Sequence, residues 1–222
     1  MRRNLFLREG LVSCQVNLSA FVKDKEFDFD DFGETVANGV IYLNEVLEEG
    51  LSLHPLEEQR QSVADWRQIG LGIMGLADML IKMELPYDSE QARHLCEKIG
   101  LVMADQALYT SAFLAGHAGS YNNYKSCVQK SRFLKNNTCE STREAIEAYG
   151  LRNSQLLTIA PTGTISTMLG ISGGIEPIFA NSYTRKTESL HGHDEYYKVY
   201  TPIVKEYMDK HGIKDEAELP NW

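Results

Sequence analysis

The sequence predicts a helix-rich α/β fold. Three observations carry that reading. Long stretches repeat their apolar residues at helical spacing; a β-rich, partly alternating segment, LVSCQVNLSAFV, occupies residues 11–22; and a short apolar run, SQLLTIA, stops at Pro161. The 222 residues allow one large domain or two small ones, and a composition 43% hydrophobic and 24% charged supplies enough apolar material for a core. With 22 basic and 31 acidic residues the formal charge is -9. That balance argues against sequence-independent binding to nucleic acid or to an anionic membrane surface. A small phosphorylated ligand stays open, since it needs only local donors.

Taken in order, MRRNLFLREG is too short and too charged for a secretory signal. The β-rich segment leads into an acidic connector, KDKEFDFDD. A helix is predicted over about 32–49, with Val36, Val40, Leu43 and Leu47 on one stripe, Asp30 or Asp31 as its cap and Gly50 as its stop. HPLEEQRQSVADW predicts a second helix with Pro55 in its first turn. RQIGLGIMGLADMLIKMEL is apolar on nearly every side and reads as a buried helix, with Gly70, Gly72 and Gly75 allowing another backbone to pack close. As a GxGxxG dinucleotide loop it lacks both the preceding strand and the following acidic residue.

Residues 88–119 give the longest helical signal, capped by Asp88 or Ser89 and ended by Gly116 or Gly119, with Cys96 as a small core residue. SYNNYKSCVQKSRFLKNNT reads as an irregular polar connection, CESTREAIEAYGLRN as a short helix stopping at Gly150, and SQLLTIA as a buried strand. Beyond the double glycine at 173–174 one helix is predicted, TPIVKEYMDKHGI, from Pro202 to Gly212, with the remainder as loop. Helices, one strong strand and then loops is an unusual order for a free-standing domain, which suggests a piece of something larger. The four cysteines, Cys14, Cys96, Cys127 and Cys139, form no CxxC pair, so reduced thiols in a cytoplasm are expected. No apolar stretch is long enough to cross a bilayer.

The chemistry concentrates in LLTIAPTGTISTMLGISGGIEP, residues 156–177. In PTGTIS, Pro161 ends the strand, Gly163 lets a ligand approach the backbone, and Thr162, Thr164 and Ser166 add hydroxyls. A helix beginning there offers free amides to a phosphate. The GK[ST] ending of a Walker loop is absent, and a capped strand-to-helix turn without a ligand explains these residues equally well. Glu176, followed by Pro177 in a glycine turn, reads as a structural hydrogen-bond acceptor rather than a general base. His191 and His193, with Asp194 and Glu195 beside them, make an incomplete metal set; a solvated loop is the reading, and no metal is expected.

GLRNSQLLTIAPTGTISTMLGISGGIEP resembles the phosphate-binding region of the large, catalytic subunit of ribonucleotide reductase. There an LRNS segment leads into a barrel strand, a Pro-Thr-Gly-Thr-Ile or Pro-Ser-Glu-Thr loop, and a GIEP signature. RQIGLGIMGLADML resembles the family's buried glycine-rich helix, and NLSAFV the strand region after its first active-site segment. Resembling motifs run from about residue 11 to about 190 in the family's order. The Thr-Gly-Thr-Ile-Ser form of the loop, with NSYTRKT after GIEPIFA, looks like the adenosylcobalamin-dependent (class II) branch rather than the di-iron one.

The resemblance implies a partial ten-stranded α/β barrel, with residues 1–222 as a single region from the C-terminal part of the catalytic barrel, cut at both ends. The intact parent would reduce ribonucleoside di- or triphosphates to deoxyribonucleotides by radical chemistry, using adenosylcobalamin and a thioredoxin-type reductant. Pro161, Thr162, Gly163, Thr164, Ile165 and Ser166 match the loop that binds the substrate phosphates, and Gly173, Gly174, Ile175, Glu176 and Pro177 match a signature that shapes the barrel. The finger-loop motif Asn-x-Cys-x-Glu does not occur in the sequence and would fall before Met1. The chain alone is therefore expected to be inactive and to hold no cofactor. Cys14 is the candidate for the second member of the family's redox pair. Counting back from Asn17, however, that cysteine falls on Leu11, three residues away, and a buried thiol without redox work is the other reading. For the whole chain the alternative is a non-catalytic phosphate-ligand or partner-binding module that keeps the reductase scaffold.

A partial barrel leaves sheet edges and an apolar face uncovered, so the chain is expected to form a homo-oligomer. Light scattering should give a mass that rises with concentration; a concentration-independent monomer refutes this.

Overall fold

The computed structural model describes residues 12–187 and 195–220. They fall into two compact units, one made of residues 12–16, 28–72 and 94–160 and the other of 17–27, 73–93, 161–187 and 195–220.

In the first unit, α1 (Phe29–Leu51) starts three residues before the expected position, because Asp28 is the cap and its carboxylate accepts the Asp31 N–H at 3.0 Å. Gly50 lies inside the last turn; the helix closes at Ser52, whose N–H donates to the Gly50 carbonyl. Val36, Val40, Leu43 and Leu47 are buried as the stripe predicts, joined by Phe32. α2 (Glu57–Trp66) begins after Leu56, so Pro55 stands just outside it and not in its first turn. The long helix α4 (Glu90–Ala118), capped by the Ser89 hydroxyl on the Ala92 N–H and followed by Gly119 at φ 81, is as expected. The stretch expected to be irregular instead holds a 3-10 turn at Ser126–Lys130 and a short helix, α5 (Arg132–Asn137), capped by Ser131. It buries only Leu134, too little apolar side chain to print a helical period on the sequence. α6 (Glu140–Tyr149) stops at Gly150 as predicted.

The glycine-rich segment departs most from expectation. β1 (Val12–Asn17) pairs with a strand, β4 (Ile69–Met74), where a helix was expected. Only after Gly75 does helix α3 (Leu76–Lys82) begin. Every residue of β4 is buried. A strand covered on both faces has no apolar–polar alternation, and its run of apolar residues is indistinguishable by pattern from a buried helix. The expected close backbone is there: a Cβ on Gly72 would sit 2.3 Å from the Thr158 carbonyl oxygen and 2.1 Å from Gln15 Oε1. SQLLTIA runs parallel to β4, with Ile69 N–H to Gln155 O at 3.0 Å, Leu71 N–H to Leu156 O at 2.8 Å and Thr158 N–H to Leu71 O at 3.0 Å. Its strand character is limited to a bridge between Leu71 and Leu157.

In the second unit a 3-10 turn at Leu18–Phe21 leads into a minimal hairpin, β2 (Val22–Lys23) and β3 (Glu26–Phe27). The next helix, α7, covers Gly163–Leu169. Helix α8 (Pro202–His211), with Pro202 in the first turn and Gly212 at φ 67 behind it, matches the prediction and buries Ile203, Val204 and Met208 against Ile81 of α3. The region read as loop contains an antiparallel pair, β5 (Ser182–Thr187) and β6 (Glu195–Tyr200), in register from Ser182 opposite Tyr200 to Thr187 opposite Glu195. Tyr183, Tyr196 and Tyr197 are exposed, so neither strand presents the one-sided apolar pattern that marks a strand in sequence, although Tyr, Thr and Val all favour extended backbone. MRRNLFLREG, Leu11, His191, His193 and Asp194 lie outside the described residues. The helix-rich α/β character holds, and among the described residues the strands form two-stranded pairings and no closed sheet.

Gly72→Ala should destabilise the protein by about 1–3 kcal/mol, since the added carbon meets a backbone carbonyl that cannot step aside. Gly50→Ala, where nothing lies within 4 Å, should gain up to about 1 kcal/mol instead. Urea denaturation measures both, and equal midpoints would contradict the packing at Gly72.

Candidate functional site

The segment that runs beside β4 turns at Pro161 into Thr162, which precedes α7 with φ 53 and ψ 20. A β-branched residue in the left-handed region costs on the order of 1–3 kcal/mol and persists only where its surroundings hold it. Here its hydroxyl accepts the Gly174 N–H at 2.8 Å, and its carbonyl accepts both the N–H (2.9 Å) and the hydroxyl (2.8 Å) of Ser166. That carbonyl takes the first hydrogen bond of α7, so the amides of Gly163, Thr164 and Ile165 have no acceptor within the helix. Gly163 faces open space where a Cβ would be, and Thr164 and Ile165 are exposed. Ser166 is different: it is 3% exposed and its hydroxyl proton is committed to the turn. Of the expected hydroxyl donors, Thr164 points to solvent, Thr162 braces the loop, and Ser166 fixes its shape.

The double glycine is the other half of this arrangement. A Cβ on Gly173 would lie 2.9 Å from the Pro161 carbonyl oxygen and 3.2 Å from Ser166 Oγ, so any side chain there displaces the loop. Gly174 supplies the N–H that reaches Thr162. Behind the pair, Ser172 is gripped at both of its peptide groups: its N–H donates to Asp78 Oδ2 at 2.7 Å and its carbonyl accepts the Gly75 N–H at 2.8 Å. Tyr87 donates its hydroxyl to the Ile175 carbonyl. Glu176 closes the turn through its backbone, N–H to Gly173 O at 2.9 Å, while its carboxylate is exposed and takes no hydrogen bond from the described residues. The expected role of that side chain as a structural acceptor is therefore not met; the main chain performs it.

Loop and signature share a cavity of about 410 Å³, which Asp78, Ser172, Ile178, Phe179, Tyr183 and Pro202 help to line. Its charged lining residues are Asp78 and Glu176, with no basic side chain among the described residues. An anion bound here would be held by backbone amides and hydroxyls, without a lysine or arginine. Around the loop, Ile165, Met168, Leu169 and Ile175 are exposed, and Phe179 is 96% exposed.

Cys14 lies on β1 in the first unit, half-buried and in no disulfide. Cys96 is half-buried on α4, short of a core position, and burial pushes its thiol pKa up. Cys139, exposed at the start of α6, is held below the ordinary thiol range by the hydroxyls of Ser141 (3.1 Å) and Thr142 (3.3 Å), with Asp105 pushing the other way. Among the described residues no group of three or more His, Cys, Asp or Glu side chains is placed to hold a metal ion, and no helix is long and apolar enough to cross a membrane. Asp78 escapes a sequence reading of the site. The available signal is a single carboxylate within the apolar stretch GLADMLI.

Residues 12–220 match the family model described as "Ribonucleotide reductase, barrel domain". A vitamin B12-dependent ribonucleoside-diphosphate reductase of Thermoplasma acidophilum is 37% identical over 202 residues, 90% of this chain and 24% of that protein. A protein of the same description from Mycobacterium tuberculosis is 32% identical over 79% of this chain and 23% of its own length. The ribonucleoside-diphosphate reductase large chain of Encephalitozoon cuniculi is 35% identical over 79% of this chain and 24% of its own. The chain thus spans about a quarter of the length of these relatives.

The two glycines at the loop should respond oppositely to substitution. Gly163→Ala, which points into open space at the start of a helix, should leave stability within about 0.5 kcal/mol of the parent chain. Gly173→Ala should cost about 1–3 kcal/mol. Thermal melts compare the two, and equal melting temperatures would refute the bracing geometry.

Proposed function

This chain belongs to the ribonucleotide reductase barrel-domain family, and from that premise we propose that it supplies the substrate-phosphate grip of a ribonucleotide reductase catalytic subunit. The carrying observation is the loop itself: three amides without helical acceptors, braced by Gly173 and Gly174, beside a cavity of about 410 Å³. That volume falls within the range of about 300–1,000 Å³ typical of small-molecule sites. Pro161, Thr162, Gly163, Thr164, Ile165 and Ser166 bind the di- or triphosphate of a ribonucleotide. Gly163, Thr164 and Ile165 do so through their N–H groups, Thr164 adds its hydroxyl, and Thr162 and Ser166 keep the amides aligned. Such a loop binds and orients, and bond cleavage is left to groups elsewhere in the parent.

The intact parent reduces ribonucleotides to deoxyribonucleotides in the cytoplasm, with a thioredoxin-type reductant and as a homo-oligomer. Adenosylcobalamin is its cofactor, a reading supported by the two relatives described as B12-dependent. The cavity at the loop is of a size that suits a nucleotide. No residue of this chain is assigned to the cofactor. Cys14, partly accessible on β1, is the thiol proposed to exchange electrons with the reductant.

The deciding experiment is a reductase assay of the intact parent with and without adenosylcobalamin. Turnover only with the cofactor is expected, and cofactor-independent turnover overturns the subclass. In that protein Gly163→Val should weaken nucleoside diphosphate binding by about tenfold or more without unfolding it, because the side chain occupies the space the phosphate needs. Unchanged affinity refutes the loop's role. Cys14→Ser should abolish turnover driven by the dithiol reductant, and full turnover would make Cys14 a packing residue.

A further inference from the structure

Asp78 is 3% exposed, in a helix whose other buried residues, Leu76, Ala77, Met79, Leu80 and Ile81, are all apolar. Among the described residues no basic side chain pairs with it. Burying a carboxylate without a cation costs several kcal/mol before its hydrogen bonds are counted, and its place in the first turn of α3 returns only a part of that. Its visible return is the Ser172 N–H at 2.7 Å. Bonds to a charged acceptor are roughly twice as strong as those between neutral groups.

We propose that Asp78 is the positioning residue of the phosphate loop, acting through Ser172 and the double glycine to hold Thr162. The inference rests on reading residues 161–166 as a phosphate grip. Asp78 and the Gly75 N–H fix the two peptide groups of Ser172. The next two residues then have little freedom. Gly173 abuts the Pro161 carbonyl, and Gly174 delivers its N–H to the Thr162 hydroxyl. Thr162 is the residue held in the left-handed conformation, and its dihedral angles set where the amides of Gly163, Thr164 and Ile165 point. The carboxylate therefore governs the direction of the anion-binding donors through the main chain of Ser172, Gly173 and Gly174.

The test combines amide hydrogen exchange on this chain, read by NMR at Ser172 and Gly174, with the affinity for cytidine diphosphate. Asp78→Ala should speed exchange at both amides and weaken cytidine diphosphate binding, each by about tenfold or more, the scale of one lost bond to a charged acceptor. Asp78→Asn keeps an oxygen for the Ser172 N–H and should recover most of both losses. Parent-like exchange at Gly174, or parent-like affinity, in Asp78→Ala overturns the proposal. Parent-like exchange with lost affinity in Asp78→Asn also overturns it, because the charge would then act on the ligand directly. If Asp78→Ala unfolds its unit, seen as lost protection throughout α8, Thr162→Val decides. It removes the acceptor of the Gly174 N–H, and should speed exchange at Gly174 but not at Ser172; unchanged exchange at Gly174 overturns the relay. A parent chain that binds no cytidine diphosphate sinks the phosphate reading and the positioning role with it, even when the exchange pattern is the expected one.

Discussion

Asn153 places a primary amide where several segments of the first unit meet, and every hydrogen bond that amide can make is made. Its Nδ2 donates to Asn44 Oδ1 at 2.9 Å and to the Arg67 carbonyl at 2.8 Å, while its Oδ1 accepts from Asn44 Nδ2 at 3.1 Å and from Ser111 Oγ at 3.0 Å. Helix α1, helix α4 and the residue leading into β4 are thereby tied to one side chain that is 1% exposed. An aspartate would lack the donors, and an apolar residue would strand the Arg67 carbonyl in a dry interior. With Asn153 pinned, the chain two residues on enters its parallel course beside β4 in a fixed register, and Gly72 allows the approach. Glu48 reinforces the knot from the half-exposed side, 2.7 Å from Arg67 Nη1 and 3.5 Å from Arg152 Nη2. Burial, and then the nearby Arg67 charge, lowers the Arg152 pKa against Glu48.

In the second unit the loop is held by groups of the chain itself. On one side Gly173 leaves out a side chain that would collide with it and Gly174 donates its N–H to Thr162; on the other a buried carboxylate and a backbone amide hold Ser172. A site shaped before its ligand arrives spends less binding energy on ordering. The arrangement is electrostatically economical as well. With no basic side chain lining the cavity among the described residues, the proposed selectivity for an anion rests on N–H dipoles of fixed direction.

The helices were legible where local chemistry marks their ends: the buried stripe of α1, the serine cap of α4, the glycine after α6 and the proline at the start of α8 all appear in the sequence and in the structure. β4 was misread because complete burial erases the alternation by which a strand is recognised, and its continuation into α3 through Gly75 lengthened the false helix. β5 and β6 failed for the opposite reason, since exposed tyrosines leave no one-sided apolar face. At the site, the small residues of PTGTIS and the double glycine were visible as a motif. How they fit together was not, because the bond from Gly174 to Thr162 spans 12 positions and that from Ser172 to Asp78 spans 94. Pattern reasoning sees neighbours along the chain, whereas this loop is set by residues distant from it.

Thr162 brings two requirements into conflict. Its backbone sits where glycine is most at ease, yet its hydroxyl is the acceptor on which the double glycine rests. Glycine there would relieve the conformation and delete the brace, and valine would keep the bulk while losing both the ease and the bond. The position is locally frustrated in service of a global arrangement. Its substitution space is therefore much narrower than that of Gly163 beside it. For a sequence that carries the same run of small residues, the hydroxyl amino acid at this point is a sharper marker of the braced loop than the glycines that first draw the eye.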